Sequence, residues 1–236
     1  MIIRKKIPYY VLAVIAFLVL AMCSPLRMIG MNNEMISVIS ALIHLPKKVL
    51  YESSAQDALD APLTQWMYTL FPIAVSIPSA SYIYEEIKSR IYMYVEIRKG
   101  KYRYIYARFI YSAVSAAVTV SVGFAAYALA IYCIFPLNIM SDTEIIGLAP
   151  IGVWDFVWYM LKIIMRMSLY AMAMSTFLTF IIYLYPNLYV DISLMYITAH
   201  ILRDVTMTGN ITAPLAILIT MAALYGVMWK FRSERI

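Results

Sequence analysis

Residues 109–135 read FIYSAVSAAVTVSVGFAAYALAIYCIF, 27 positions without one charged side chain. A helix crosses the hydrocarbon core of a bilayer with about 20 predominantly apolar residues. The run is continuous rather than alternating, so a tilted barrel strand is excluded. Four more charge-free runs accompany it, at 7–26, 61–84, 167–185 and 211–229. A weaker candidate span, 187–202, lies between Pro186 and Arg203 and includes Asp191 and His200. The pattern predicts an all-α polytopic membrane protein with six transmembrane helices, at about 7–26, 61–84, 104–135, 160–185, 187–202 and 211–229. A single transmembrane domain covers 1–236, without an internal repeat or a Gly/Ser linker.

Composition agrees. The chain has 236 residues, 64% apolar and 14% charged, and a mean hydropathy of +0.78. A soluble domain is about 45–50% apolar with about 25% charge. A soluble enzyme, a disordered chain and a collagen-like repeat are excluded. Cys23 and Cys133 are the only cysteines and read as small hydrophobes rather than a disulfide framework. Arg4-Lys5-Lys6 before an apolar run, with Leu20-Ala21-Met22-Cys23 behind it, is close to a lipoprotein signal. Met22 is too large for the position before such a cysteine, and the run exceeds an h-region of about 7–15 residues. An uncleaved first helix is expected.

The net charge of +6 has an address. With the N-terminus inside, the cytoplasmic pieces 1–6, 85–108, 186–191 and 230–236 hold 13 basic residues against five acids. The external pieces 27–60, 136–155 and 203–210 hold four basic residues against eight acids. Lys and Arg gather on the cytoplasmic side of membrane proteins, so both termini are expected inside. That asymmetry accounts for the basic character without nucleic acid. Seven of the 13 inner basic residues fall in 85–108.

Within that loop, Glu85-Glu86-Ile87-Lys88-Ser89-Arg90 continues through Glu96, Ile97 and Arg98 to Gly100 without a proline. Ile87, Ile91, Tyr94, Val95 and Arg98 share one helical stripe, and Glu86 precedes Arg90 at the i,i+4 spacing that favours helix. A short amphipathic cytoplasmic helix is expected between the second and third spans, with Gly100 as its stop. The second span carries Pro72 and Pro78, and prolines inside a helix predict a kink or local unwinding. Freed carbonyls survive in a membrane only against protein or a cavity, which suggests that Pro72, Ser76, Pro78 and Ser81 line an interior path. Residues 35–50 are expected as a helix on the outer interface or an ordered outer loop.

Residues 66–125 resemble the integral membrane subunits of ABC-2 type ATP-binding-cassette transporters. Phe71-Pro72-Ile73-Ala74-Val75-Ser76-Ile77-Pro78-Ser79-Ala80-Ser81-Tyr82 resembles their proline-bounded small-residue segment. Glu85/Glu86, Lys88-Ser89, Arg98 and Tyr104 or Tyr106 follow as in many relatives. Relatives often have Gly where this chain has Arg90, and Lys where it has Arg108. The resemblance implies an exporter permease working by alternating access, paired with a second permease copy or paralogue. A cytoplasmic ABC ATPase dimer would carry ATP and Mg. The coupling helix that docks onto it would present Glu85, Glu86, Lys88, Arg90, Glu96 and Arg98. This chain has no cofactor of its own and no phosphate-binding loop: Gly100-Lys101 is followed by Tyr102. It is not expected to be an enzyme, and the expected location is a bacterial cytoplasmic membrane, multi-pass in the lipid bilayer.

Two other classes are open. Glu85-Glu86-x3-Arg90 matches the signature of CAAX-type intramembrane metalloproteases, and His200-x3-Asp204 is similar to one of their histidine motifs. His44 and His200 are the only histidines, and both are expected on the outer side, a membrane thickness from the acidic pair. The third class is an accessory or immunity protein that binds a peptide without transport. An outer polar cluster of Lys162, Arg166, His200, Arg203 and Asp204 is a further candidate. Lys162 and Arg166 share a helix face, where anchoring at the interface, pairing with Asp155 or lipid phosphate, and contact with an anionic substrate are the alternatives.

Overall fold

A computed structural model of the chain describes residues 7–27, 35–44, 55–63, 65–134, 138–140, 148–150, 152–207 and 212–233. Apolar runs become helices because a backbone away from water must satisfy its own N–H and C=O groups. Helix α1 spans Ile7–Met22. A two-stranded antiparallel pair, β1 (Pro25–Arg27) and β2 (Met35–Ser37), follows it. Two short helices come next, α2 (Val38–His44) and α3 (Ala55–Asp60), and a 3-10 turn, Ala61–Leu63. The long elements are α4 (Gln65–Lys88), α6 (Lys101–Ile134), α7 (Val153–Leu184), α8 (Leu188–Met207) and α9 (Thr212–Ser233). Between α4 and α6 lies α5 (Ile91–Lys99). A second short antiparallel pair, β3 (Asn138–Met140) and β4 (Leu148–Pro150), links α6 to α7.

Two of these helices are long and apolar enough to cross a membrane, Tyr102–Ile134 in α6 and Val153–Leu184 in α7. At 1.5 Å per residue they are about 50 Å long, well beyond the apolar slab of about 30 Å. Shorter apolar helices run over Ile7–Met22, Tyr189–Leu202 and Pro214–Gly226. The observed bounds differ from the sequence-based ones where polar residues continue a helix that charge alone seemed to end. Helix α4 extends through Glu85, Glu86 and Lys88, and α7 begins at Val153, seven residues before 160. Residues 25–27 form β1, so the first helix is shorter than expected. Of 35–50, residues 35–37 are strand and 38–44 helix; 45–50 lie outside the described residues.

Helix α4 is the central element. Met67, Tyr68, Ala74, Ser76 and Ala80 point in different directions around it, and all are buried. A helix covered on all sides needs small groups where neighbours come close, and here they are hydroxyls. Ser79 Oγ lies 3.1 Å from Ser175 Oγ of α7. Ser112 of α6 donates to the Ser175 carbonyl at 2.9 Å, and Thr179 donates to Ser112 Oγ at 2.8 Å. These bonds tie α4, α6 and α7 together mid-bundle, where an unsatisfied hydroxyl would be expensive. The helix remains continuous through Pro72 and Pro78, and Ser76 Oγ donates to the Pro72 carbonyl at 2.6 Å.

Paired side chains fix the directions. Tyr10 meets Tyr111 and Phe17 packs on Gly123, so α1 and α6 are parallel. Tyr68 meets Tyr170 and Ser79 meets Ser175, so α4 and α7 are parallel. Glu86 meets Arg108 and Ser79 meets Ser112, which sets α4 antiparallel to α6. One end of the bundle therefore carries α5, and the opposite end carries α3.

Candidate functional site

The elbow between α4 and α6 is built by two helix stops. Ser89 Oγ donates to the Glu85 carbonyl at 2.7 Å, occupying one of the carbonyls left over at the end of α4. Arg90 then takes a left-handed backbone, φ 57° and ψ 11°, the conformation that commonly ends a helix and that glycine adopts at least cost. Among the described residues it is the only non-glycine with positive φ. The chain restarts as α5, and Gly100 (φ 80°) ends that helix before α6 begins. Nothing lies within 4 Å of a Cβ added at Gly100, so its backbone angle, not space, requires glycine.

The residues of α5 divide by face. Tyr92 and Val95 pack against Tyr104, Ile105 and Tyr225. Tyr94 and Ile97 are 74% and 83% exposed, with Ile91 and Met93 beside them. The expected stripe of Ile87, Ile91, Tyr94, Val95 and Arg98 is thus not the packed face. The α4–α5 break at Ser89-Arg90 rotates the two segments relative to one continuous helix. Glu85, Lys88, Arg90 and Arg98 are all exposed, and Lys88 leans over the Tyr84 ring at 5.8 Å. Glu96 is half-buried.

Glu86 does not share this exposed surface. It is buried and ion-paired to Arg108 of α6 at 2.5 Å. Arg108 also donates to Tyr82 Oη at 3.1 Å. Its guanidinium lies over the Tyr82 and Tyr104 rings at 4.8 and 5.1 Å, a cation–π arrangement that offsets desolvation. Tyr104 in turn meets Tyr183 of α7 edge to face. The clamp joins the two helices that bracket α5. Sequence reasoning assigned Glu86 to the surface and missed the pairing. One signal was available: Glu86 closely follows one charge-free run and Arg108 immediately precedes the next, which puts them at one depth on antiparallel helices.

The remaining candidates separate. Pro72, Ser76 and Pro78 are buried, and Ser81 is half-buried; Ser76 lies beside the hydroxyl layer. Arg166 is half-buried over the Tyr68 ring at 5.7 Å, whereas Lys162, one turn earlier, is exposed. His200 is exposed and stacked with Tyr196. Arg203 and Asp204 fall late in α8, and their side chains lie outside the described residues. Among the described residues, no three His, Cys, Asp or Glu side chains are grouped to hold a metal ion.

The end carrying α3 is assembled differently. Ala55, Ala58 and Leu59 are fully buried. Tyr127 of α6 donates to the Ala58 carbonyl, and Tyr159 of α7 reaches the Asp60 carboxylate at 2.7 Å. Beneath them Phe17, Tyr68, Phe71 and Tyr170 form a layer of edge-on and tilted rings at 5.5–5.9 Å. No family model, no curated protein and no solved structure matches the chain.

Proposed function

We propose that this chain is the permease subunit of an ATP-driven ABC-2 type exporter, with both termini and α5 on the cytoplasmic face and six spans crossing the membrane. Alternating access would be driven by a cytoplasmic cassette ATPase dimer, and a second permease copy or paralogue would complete the pathway. The observation that carries this is the elbow. A nine-residue helix held between two spans exposes Tyr94 and Ile97 between Arg90 and Arg98, while its opposite face is anchored to the bundle. An exposed apolar face rimmed by charge is what a partner groove can bury. The Glu86–Arg108 clamp supports the same reading, because it gives α5 a stiff connection to α4 and α6.

The test is co-purification in mild detergent with 8-azido-ATP as photolabel. A second, photolabelled polypeptide is expected with the wild-type chain and lost with Arg90→Glu/Arg98→Glu, whose side chains are exposed and whose replacement leaves the bundle folded. A wild-type chain that purifies from its native membrane without any photolabelled polypeptide overturns the proposal.

A further inference from the structure

We propose that the groove between α6 and α7 is a binding site for one anionic phospholipid, its phosphate on Lys162 and one acyl chain running toward Met172. The groove has a volume of about 540 Å³ and is lined by Ser121, Trp158, Lys162, Met165, Leu169 and Met172 among others. Apart from Lys162 and the Ser121–Ser168 hydroxyl pair its lining is apolar, and Lys162 stands at a defined depth. From Ile163 to Leu184 is 22 residues, about 33 Å of helix, which matches the hydrocarbon slab of about 30 Å. Lys162 therefore sits at headgroup level. From Lys162 to Met172 the helix rises about 15 Å, half the slab, so the groove below the cation is one leaflet deep.

Charge selects the occupant. Lys162 is exposed and has no salt bridge among the described residues. Arg166 is turned away over the Tyr68 ring. Asp155 does not reach Lys162; its carboxylate folds back on the start of α7, where a Cβ on Gly152 would come within 2.9 Å of Oδ2. An ammonium beside an apolar channel is complemented by an acidic head joined to a hydrocarbon tail. Two other grooves, beside α1 and α6, have similar apolar walls but no charged lining residue. They offer no basis for headgroup selection. The assignment is independent of the exporter proposal and requires only that α7 crosses the bilayer.

Trp158 lines the groove and reports on it. The chain is prepared with Trp158 as its sole tryptophan (Trp66→Phe, Trp154→Phe, Trp229→Phe) and reconstituted in mixed phosphatidylcholine and phosphatidylglycerol vesicles. Each lipid is brominated in turn, so that its proximity is read as fluorescence quenching. A three- to fivefold preference for phosphatidylglycerol is expected, the size of one Lys–headgroup contact. Lys162→Arg keeps that preference and Lys162→Gln abolishes it. Three results overturn the site: equal quenching by both lipids in the parent, a preference that survives Lys162→Gln, or a Trp158 that neither lipid quenches because another protein surface covers it.

Discussion

At the α5 end, α4 and α6 are joined by a buried charge pair with Tyr82 beside it, whereas at the opposite end α4 packs through rings on α1 and α7, and Tyr127 of α6 reaches α3. Glu86 and Arg108 are 22 residues apart and meet across the elbow. Phe17, Tyr68, Phe71 and Tyr170 come from three helices and meet only through ring edges and faces. A charge pair is specific and intolerant: in a low-dielectric setting each partner is costly alone. A ring layer is redundant, because several contacts share the work. The α5 end thus carries the contact most sensitive to the loss of one side chain, and the other end spreads its contacts over several rings.

The largest difference between the ends should appear when each is broken. Glu86→Ala leaves Arg108 half-buried without its carboxylate, and a loss of about 3–5 kcal/mol is expected, read as unfolding temperature in detergent. The swap Glu86→Arg/Arg108→Glu should recover much of it. Glu86→Ala as stable as the parent would remove the clamp from the account. At the ring end, Gly123→Ala places a Cβ within 2.7 Å of Phe17. Overpacking of that kind costs about 1–3 kcal/mol, and Phe17→Leu in the same chain should relieve it. Absence of relief would show that Phe17 does not fill the Gly123 notch.

The smallest effect belongs to the elbow. Arg90→Gly removes the cost of placing a side chain in the left-handed region, about 1 kcal/mol, offset in part by the greater freedom of glycine in the unfolded chain. Stability should therefore stay the same or rise by less than about 1 kcal/mol. A marked loss would mean that the Arg90 side chain, not its backbone, sets the turn.

Charge-free runs located α1, α4, α6, α7 and α9 because burial away from water acts locally, residue by residue, along each run. The stop at Gly100 was legible as a local signal, whereas the break at Ser89-Arg90 was not, because Glu85 to Gly100 reads as one proline-free helix. The hydroxyl layer was not, since Ser79, Ser112 and Ser175 are unremarkable alone and gain meaning only when three helices meet. Helix α3 was read as outer loop because Asp57 and Asp60 dominate its charge. Yet Ala55, Ala58 and Leu59 repeat at helical spacing, and their burial shows that this pattern outweighed the acids. The charge clamp was hidden by the same limit: periodicity describes one helix, whereas a pair such as Glu86–Arg108 depends on where two helices stand relative to each other.

The docking role proposed for α5 turns on what covers Ile97, its most exposed large hydrophobic side chain. A photo-crosslinking amino acid at that position, activated in native membranes, tests it most directly. The predicted product is a covalent adduct to a polypeptide that also takes the 8-azido-ATP label and that disappears when Arg90 and Arg98 are both changed to Glu. Adducts to lipid alone, or to a protein that binds no nucleotide, would contradict the docking role of α5.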